Sequence, residues 1–215
     1  MRPFFCIGGC KRFIMKKLSL FVSVILLGSA VMAQTSPKLG IKAGLNVATV
    51  KMVPEAVQIG SKLGFHGGLL AHIHLTPQWG IQPEVLYSGQ GFDDQTNNAE
   101  WKFNYLNIPV MVQYMFDNGF RIQAGPQVGF LLDSKISGST GADEDISTEI
   151  KKIDAGVGLG LGYLSYSGLG VEGRYNLGLT NIKEDTGFGV DEIKNRAFQI
   201  SLFYMLDNAH KSKSR

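Results

Sequence analysis

Beyond residue 10 the chain has no cysteine; its two, Cys6 and Cys10, sit together at the very start. A disulfide framework or a thiolate metal site in the body of the protein is thereby excluded. Missing too is any uninterrupted apolar run of the ~18 or more residues that a membrane-spanning helix requires. The region 34–206 contains no window in which apolar residues recur at helical spacing, which rules out a helical bundle. Histidine is scarce, with His66, His72, His74 and His210 making up the whole set. No Gly-x-Ser-x-Gly elbow and no calcium-loop spacing occurs, so the commonest hydrolase and cation signatures are absent.

The N-terminal segment reads as targeting sequence. From Met15 it runs Lys16-Lys17, a mostly apolar stretch from Leu18 to Leu27, the small residues Gly28-Ser29-Ala30, and then Val31-Met32-Ala33 before Gln34. That order of charge, apolar core and small-residue site predicts a secretory signal peptide cleaved after Ala33. A permanent helical anchor is the alternative, but its core would need to be longer. Residues 1–14 are set aside as an upstream extension. Residues 1–33 carry five cations and no acids, so removing them takes the net charge from +3 to −2. The basic character belongs to the targeting segment, and nucleic acid is excluded as a partner for want of a basic face.

What fills the rest is strict alternation of apolar and polar residues, the strand signal. Eight runs show it: 38–50, 62–75, 80–92, 102–116, 119–132, 150–165, 168–180 and 194–206. Each reaches the ~9–11 residues that a tilted strand needs to cross a bilayer. In the fourth run Leu106, Ile108, Val110, Val112, Tyr114 and Phe116 alternate with residues that include Asn107 and Gln113. In the fifth, Phe120, Ile122, Ala124, Val128 and Phe130 oppose Arg121, Gln123 and Gln127; in the eighth, Phe198, Ile200, Leu202 and Tyr204 oppose Asn195, Gln199 and Ser201. Tight turns at 76–79, 117–119 and 165–168 alternate with longer polar connections at 51–61, 93–101, 133–149 and 181–193. Pro83, Pro109 and Pro126 fall inside runs and suggest bulges or strand ends.

These features predict an all-β fold: an eight-stranded antiparallel transmembrane β-barrel over 34–206, followed by a basic tail at 207–215. The apolar face turns to lipid, and Tyr114, Phe116, Phe120, Tyr163, Tyr175 and Tyr204 form an aromatic girdle at the short-turn end. Short turns and both termini are expected in the periplasm, with the long connections outside the cell. A soluble lipocalin-like barrel that binds a ligand is the rival, and it requires every face to be reversed.

An eight-stranded barrel has an interior just wide enough for side chains. Lys42, Arg121 and Arg174 are expected there with Glu84, Asp154 and Glu172, three charges of each sign, as an internal salt-bridge network. His66, His72 and His74 share the inner face and offer imidazoles to a transition metal; the plain alternative is hydrogen bonding within the lumen. Asp93-Asp94 and Asp143-Glu144-Asp145 are read as solvated loop acids. The column Gly156, Gly158, Gly160, Gly162 reads as a strand with a smooth inner face. No catalytic residue and no cofactor is expected.

The opening strand Gly40-Ile41-Lys42-Ala43-Gly44-Leu45-Asn46, the segment Tyr105-Leu106-Asn107-Ile108-Pro109-Val110 and Ala124-Gly125-Pro126 resemble the small outer-membrane β-barrel proteins labelled porin-family or PorT-like. The resemblance covers 38–206 and implies residence in the outer membrane of a Gram-negative envelope. It also implies contact with its lipid and lipopolysaccharide and insertion by its assembly machinery. The function expected is non-enzymatic, a porin-like or surface and envelope role with a mostly side-chain-filled lumen. The alternative is a PorT-like accessory of a protein-secretion system, with a surface or secretion-system partner.

Overall fold

The computed structural model describes residues 37–53, 59–96, 99–138, 143–146, 150–182 and 192–206. The expected signal peptide, the tail at 207–215 and His210 lie outside the described residues. The barrel belongs to the unit Lys38–Arg215.

Nine strands are described: β1 (Lys38–Val53), β2 (Ile59–His74), β3 (Trp79–Asp94), β4 (Ala99–Met115), β5 (Phe120–Ser137), β6 (Asp143–Asp145), β7 (Ile153–Leu164), β8 (Leu169–Gly178) and β9 (Glu192–Met205). Eight of them close into a barrel. Each neighbouring pair is antiparallel, β4 joins β5, β5 joins β7, and β9 returns to β1 with Gly40 opposite Met205 and Val53 opposite Glu192. The ninth, β6, pairs with the far end of β5, Asp143 opposite Ser137. Closure leaves no unpaired edge among the eight, the one arrangement of strands that hydrocarbon tolerates.

The two ends of the barrel differ. At one end β2–β3, β4–β5 and β7–β8 are joined by tight turns. Leu75 N donates to Trp79 O at 2.9 Å, Phe116 N to Phe120 O at 2.8 Å and Ser165 N to Leu169 O at 2.9 Å. Gly119 and Gly168 sit at φ of 87° and 89°, where a side chain would be strained. The first residue of β1 and the last of β9 lie at this same end. The strand ends that lead into the longer connections lie at the other.

The apolar face points outward. Leu39, Ile41, Leu45 and Val47 of β1 are roughly half exposed, whereas Lys42 and Asn46 between them are buried. The same holds round the wall: Leu69 is 64% exposed and Ile200 56%, against 1% for Arg174. An apolar surface this continuous does not persist in water. This overturns the lipocalin-like alternative, which needs the opposite orientation.

Several strands run further toward the long-connection end than the alternation suggests; β1 continues to Val53, β4 begins at Ala99 and β5 reaches Ser137. There the pattern inverts. Lys51 of β1 is exposed while Val50 and Met52 are buried, and on β9 Ile193 and Ala197 are buried beside Lys194 and Arg196. A strand that passes from lipid into water must exchange an apolar outside for a polar one, and its inner face then packs as an ordinary core. The acids read as loop residues lie in these extensions: Asp93 and Asp94 end β3, and 143–145 form β6.

Pro83, Pro109 and Pro126 are not bulges. They lie within β3, β4 and β5, and the register is the same on both sides of each, as in Pro83 opposite Val110 and Leu86 opposite Asn107. The register shifts fall elsewhere, between Ser61 and His66 and between Asn104 and Tyr105. The girdle forms mainly as expected: Trp79, Tyr114, Phe116 and Phe120 make a chain of ring contacts with centroids 5.0–5.7 Å apart at the short-turn end. Tyr175 sits deeper, paired with Phe198 well along β8.

The outer wall makes a direct prediction. Ile200→Arg, at the centre of the apolar series on β9, should destabilise the barrel in phospholipid bilayers by about 2–4 kcal/mol, read from urea titrations of folding; a cost near zero would mean that this face does not meet hydrocarbon.

Candidate functional site

The lumen is where chemistry-bearing side chains converge. Its centre holds four charges. Lys42 Nζ of β1 lies 2.9 Å from Glu84 Oε1 of β3 and 2.8 Å from Glu172 Oε1 of β8. Arg174, two residues along β8 and therefore on the same face, donates from Nη1 to Glu84 Oε2 at 3.0 Å and from Nη2 to Glu84 Oε1 at 2.7 Å. Its Nη2 also lies 2.9 Å from Glu172 Oε1. Gln82 Nε2 adds a donor to Glu84 at 2.8 Å. All four charged side chains are buried and their charges cancel, the condition under which ions are tolerated away from water.

Room for these long side chains comes from the glycine column of β7. A Cβ on Gly158 would stand 3.4 Å from Arg174 Cδ, one on Gly160 would stand 2.9 Å from Gln123 Nε2, and one on Gly162 would stand 3.3 Å from Arg121 Cγ. The inner face of β7 is thus a floor on which side chains of β5 and β8 lie.

Of the six charged residues expected to form one network, the structure brings together Lys42, Glu84, Glu172 and Arg174, and leaves Arg121 and Asp154 apart. Arg121 donates to Gln113 Oε1 at 3.3 Å and lies over the Phe203 ring at 5.7 Å, near the short turns. Asp154 accepts from Asn195 Nδ2 at 2.8 Å, near the long connections.

The three lumen histidines do not converge either. His66 and His72 are six residues apart on one strand, about 20 Å at the usual rise. Both ring nitrogens of His66 are engaged, Nδ1 with Asn46 Oδ1 at 2.6 Å and Nε2 with Ser201 Oγ at 2.7 Å. His72 and His74 touch edge to face with centroids 4.5 Å apart. Among the described residues no cluster of three or more His, Cys, Asp or Glu side chains could hold a metal.

Ser201, His66 and Asn46 stand in the order nucleophile, base and orienter, a constellation that sequence spacing did not reveal because β9, β2 and β1 supply one residue each. Its surroundings oppose catalysis. All three are at most 2% exposed, Asn46 Oδ1 also accepts from Gln199 Nε2 at 2.9 Å, and no lumen space opens beside Ser201 among the cavities described. A nucleophile needs a position about 3 Å away for the reacting carbon.

Above the polar belt the lumen is filled by an apolar cluster: Val50, Met52, Phe92, Phe103, Tyr105 and Ile193 from the strand ends, with Ile146, Ile150 and Ile182 from the connections. A concavity of about 580 Å³ lies on the outer wall instead, bounded by Trp79, Tyr114, Ile122, Leu161, Tyr175 and Phe198. It faces lipid and does not belong to the lumen.

Residues 32–184 match the family described as outer membrane protein beta-barrel domain. The chain belongs to that family. Among solved structures, Neisserial surface protein A is similar with a TM-score of 0.54 and 12% identity, over 78% of this chain and 96% of that one. Ail, the attachment invasion locus protein of Yersinia pestis, aligns over 78% of this chain and 97% of its own, at 14% identity and a TM-score of 0.47. Outer membrane protein W of E. coli aligns over 80% of this chain and 99% of its own, at 16% identity and 0.39. Identities this low concern the fold alone, and Neisserial surface protein A carries that comparison. No curated protein matches the chain. As a member of the family the protein is an outer-membrane β-barrel, set in lipid and lipopolysaccharide.

The central charges of this family member yield a prediction about what holds the lumen. Glu84→Gln leaves Arg174 and Lys42 short of an anion and should cost about 3–5 kcal/mol of stability. Removing a neutral pair, Lys42→Met with Glu172→Leu, should cost less than Glu84→Gln alone, because the Arg174–Glu84 fork survives. Urea midpoints of the two variants measure this; equal losses would mean that the charges act independently.

Proposed function

We propose that this is a non-enzymatic outer-membrane protein with a filled barrel as scaffold, and that its long-connection end faces the cell exterior in an envelope or surface-interaction role. The observation that carries the reading is the filling of the lumen at two levels, by the central ion pairs and by the apolar cluster above them. A side-chain-filled interior leaves the connections as the part able to meet a partner. In this reading the exported chain begins at Gln34, the assembly machinery inserts it, and both termini and the short turns stay in the periplasm.

The outward charges support that orientation. On the outer wall near the long connections Lys51 lies directly opposite Lys194, and Lys102 directly opposite Lys135. Like charges facing each other across strands are unfavourable on their own. Carboxylates offset three of the four: Glu100 pairs with Lys102, Asp133 with Lys135 and Glu192 with Lys194. A leaflet rich in phosphate, as the lipopolysaccharide side is, compensates the positive charge that remains.

In planar bilayers the purified protein should show no steady conductance in molar KCl; a stable open channel in the unmodified protein would remove the filled-scaffold reading. Exchanging the connections 54–58, 95–98, 138–152 and 179–191 for unrelated loops that keep Ile146, Ile150 and Ile182 should alter surface binding, and a phenotype that follows lumen substitutions instead would count against it. A fluorophosphonate probe should leave Ser201 unlabelled in the folded protein. Labelling that disappears in His66→Ala would show a working nucleophile and overturn the non-enzymatic reading.

A further inference from the structure

The outer wall near the long connections carries its positive charge unevenly. Where β4 meets β5, Lys102 and Lys135 stand opposite each other, but Glu100 and Asp133 lie beside them and cancel the pair. Where β1 meets β9, Lys51 stands opposite Lys194. Arg196 is two residues along β9 from Lys194 and therefore on the same outward face. Glu192 answers Lys194 alone, with Nζ 2.9 Å from Oε2. Among the described residues neither Lys51 nor Arg196 has a carboxylate partner. Arg196 also borders a small polar cavity beside Asp154, but makes no ion pair with that carboxylate among the described contacts. Three cations and one anion leave two positive charges on this strand seam, where like charges directly opposite each other repel.

Their depth on the wall decides what meets them. Beyond Arg196 the outward positions of β9 are Phe198, Ile200, Leu202 and Tyr204, and Val47, Leu45, Ala43 and Ile41 of β1 stand opposite them. These side chains form an exposed apolar track two strands wide. From Tyr204, at the short-turn end, to Arg196 the strand runs nine residues, matching the ~9–11 with which a tilted strand crosses hydrocarbon. Arg196 therefore stands at the far boundary of the hydrocarbon, and Lys194 and Lys51 lie one step beyond it. Groups at that height meet lipid headgroups.

We infer that the β1–β9 seam holds one lipopolysaccharide molecule, with Lys51, Lys194 and Arg196 on the phosphates of its lipid anchor and its acyl chains along the track below them. The inference rests on the reading that the long-connection end faces the cell exterior, because lipopolysaccharide occupies that leaflet. Two unmatched positive charges complement an anchor that bears phosphates on a broad set of acyl chains. A phospholipid with a single phosphodiester answers only one of them. The bound molecule cancels the repulsion between Lys51 and Lys194 across the pair of strands that closes the barrel.

The test titrates the full chain, folded in non-ionic detergent, with bisphosphorylated lipid A, with the same lipid stripped of phosphate and with phosphatidylglycerol, and counts bound lipid by native mass spectrometry. One lipid A per chain is expected at concentrations where neither other lipid binds. The triple variant Lys51→Gln, Lys194→Gln, Arg196→Gln should weaken this binding about a hundredfold. Lys51→Gln alone should weaken it about fivefold, and carries the test if the triple variant does not fold. Lys102→Gln with Lys135→Gln should leave it within about twofold. Equal binding of either other lipid, or unchanged binding by the seam variants, would overturn the inference; so would an equal loss in the Lys102 and Lys135 variant, which would place the phosphates elsewhere. Orientation is read separately from Tyr166→Cys, at an exposed position in a short turn, which should resist a membrane-impermeant maleimide on intact cells. Labelling there would overturn the outward reading and the inference together, whereas protection without lipid A binding would remove the inference alone.

Discussion

Pairing of the first strand with the last governs everything else in this molecule. Hydrocarbon offers no hydrogen bonds, so the backbone groups of β1 that face away from β2, and those of β9 that face away from β8, must find their partners on each other. The continuous register from Gly40 with Met205 to Val53 with Glu192 provides it. Once that seam closes, the bore is fixed by strand number and tilt, and the inner faces of eight strands must fill it. The outward face has only to be apolar. The inward face has to be a solved packing problem.

The solution is graded along the axis. At the short-turn end Gln113, Gln123 and Arg121 hydrogen-bond across β4 and β5. At the centre the fork between Arg174 and Glu84, with Lys42 and Glu172, ties β1, β3 and β8 together. Above these, His66, Asn46, Ser88, Gln199 and Ser201 form a neutral net, and beyond it the lumen turns apolar. The net places a serine, a histidine and an asparagine in catalytic order, and the reason for that order is ordinary: in a narrow bore, donors and acceptors on neighbouring strands line up in chains. Geometry of that kind signals catalysis only where a substrate can stand beside it.

Much of this was legible in the alternation. Leu106 to Phe116 and Phe198 to Tyr204 have a period that admits only strands, and charges such as Lys42 and Glu172 sat on the opposite face of theirs. Strand ends were harder to read because the polarity inverts there. Lys51 with Met52, and Lys194 with Ile193, obey the period but exchange inside for outside, so a reader who assigns faces by polarity stops where lipid stops. The internal network was half legible for another reason. Sequence shows which charges face inward, but pairing depends on height along the axis. That height is set by register, and Arg121 and Asp154 lie near opposite ends of it. For the histidines the same coordinate separates His66 from His72 and His74.

Height also explains why the two ends of the barrel differ in what they can do. The short-turn end is held by glycines in left-handed geometry and by a ring of aromatic contacts, so little backbone is free to meet a partner. At the other end Ile146, Ile150 and Ile182 descend from the connections into the bore and pack on Phe92, Phe103 and Tyr105. The connections are thereby anchored to the rigid wall from within. A surface loop fixed at its base by a core of this kind loses less entropy on engaging a partner than one that is merely tethered. The apolar cap that closes the lumen thus also fixes the bases of the connections, which is the feature on which the proposed surface role draws.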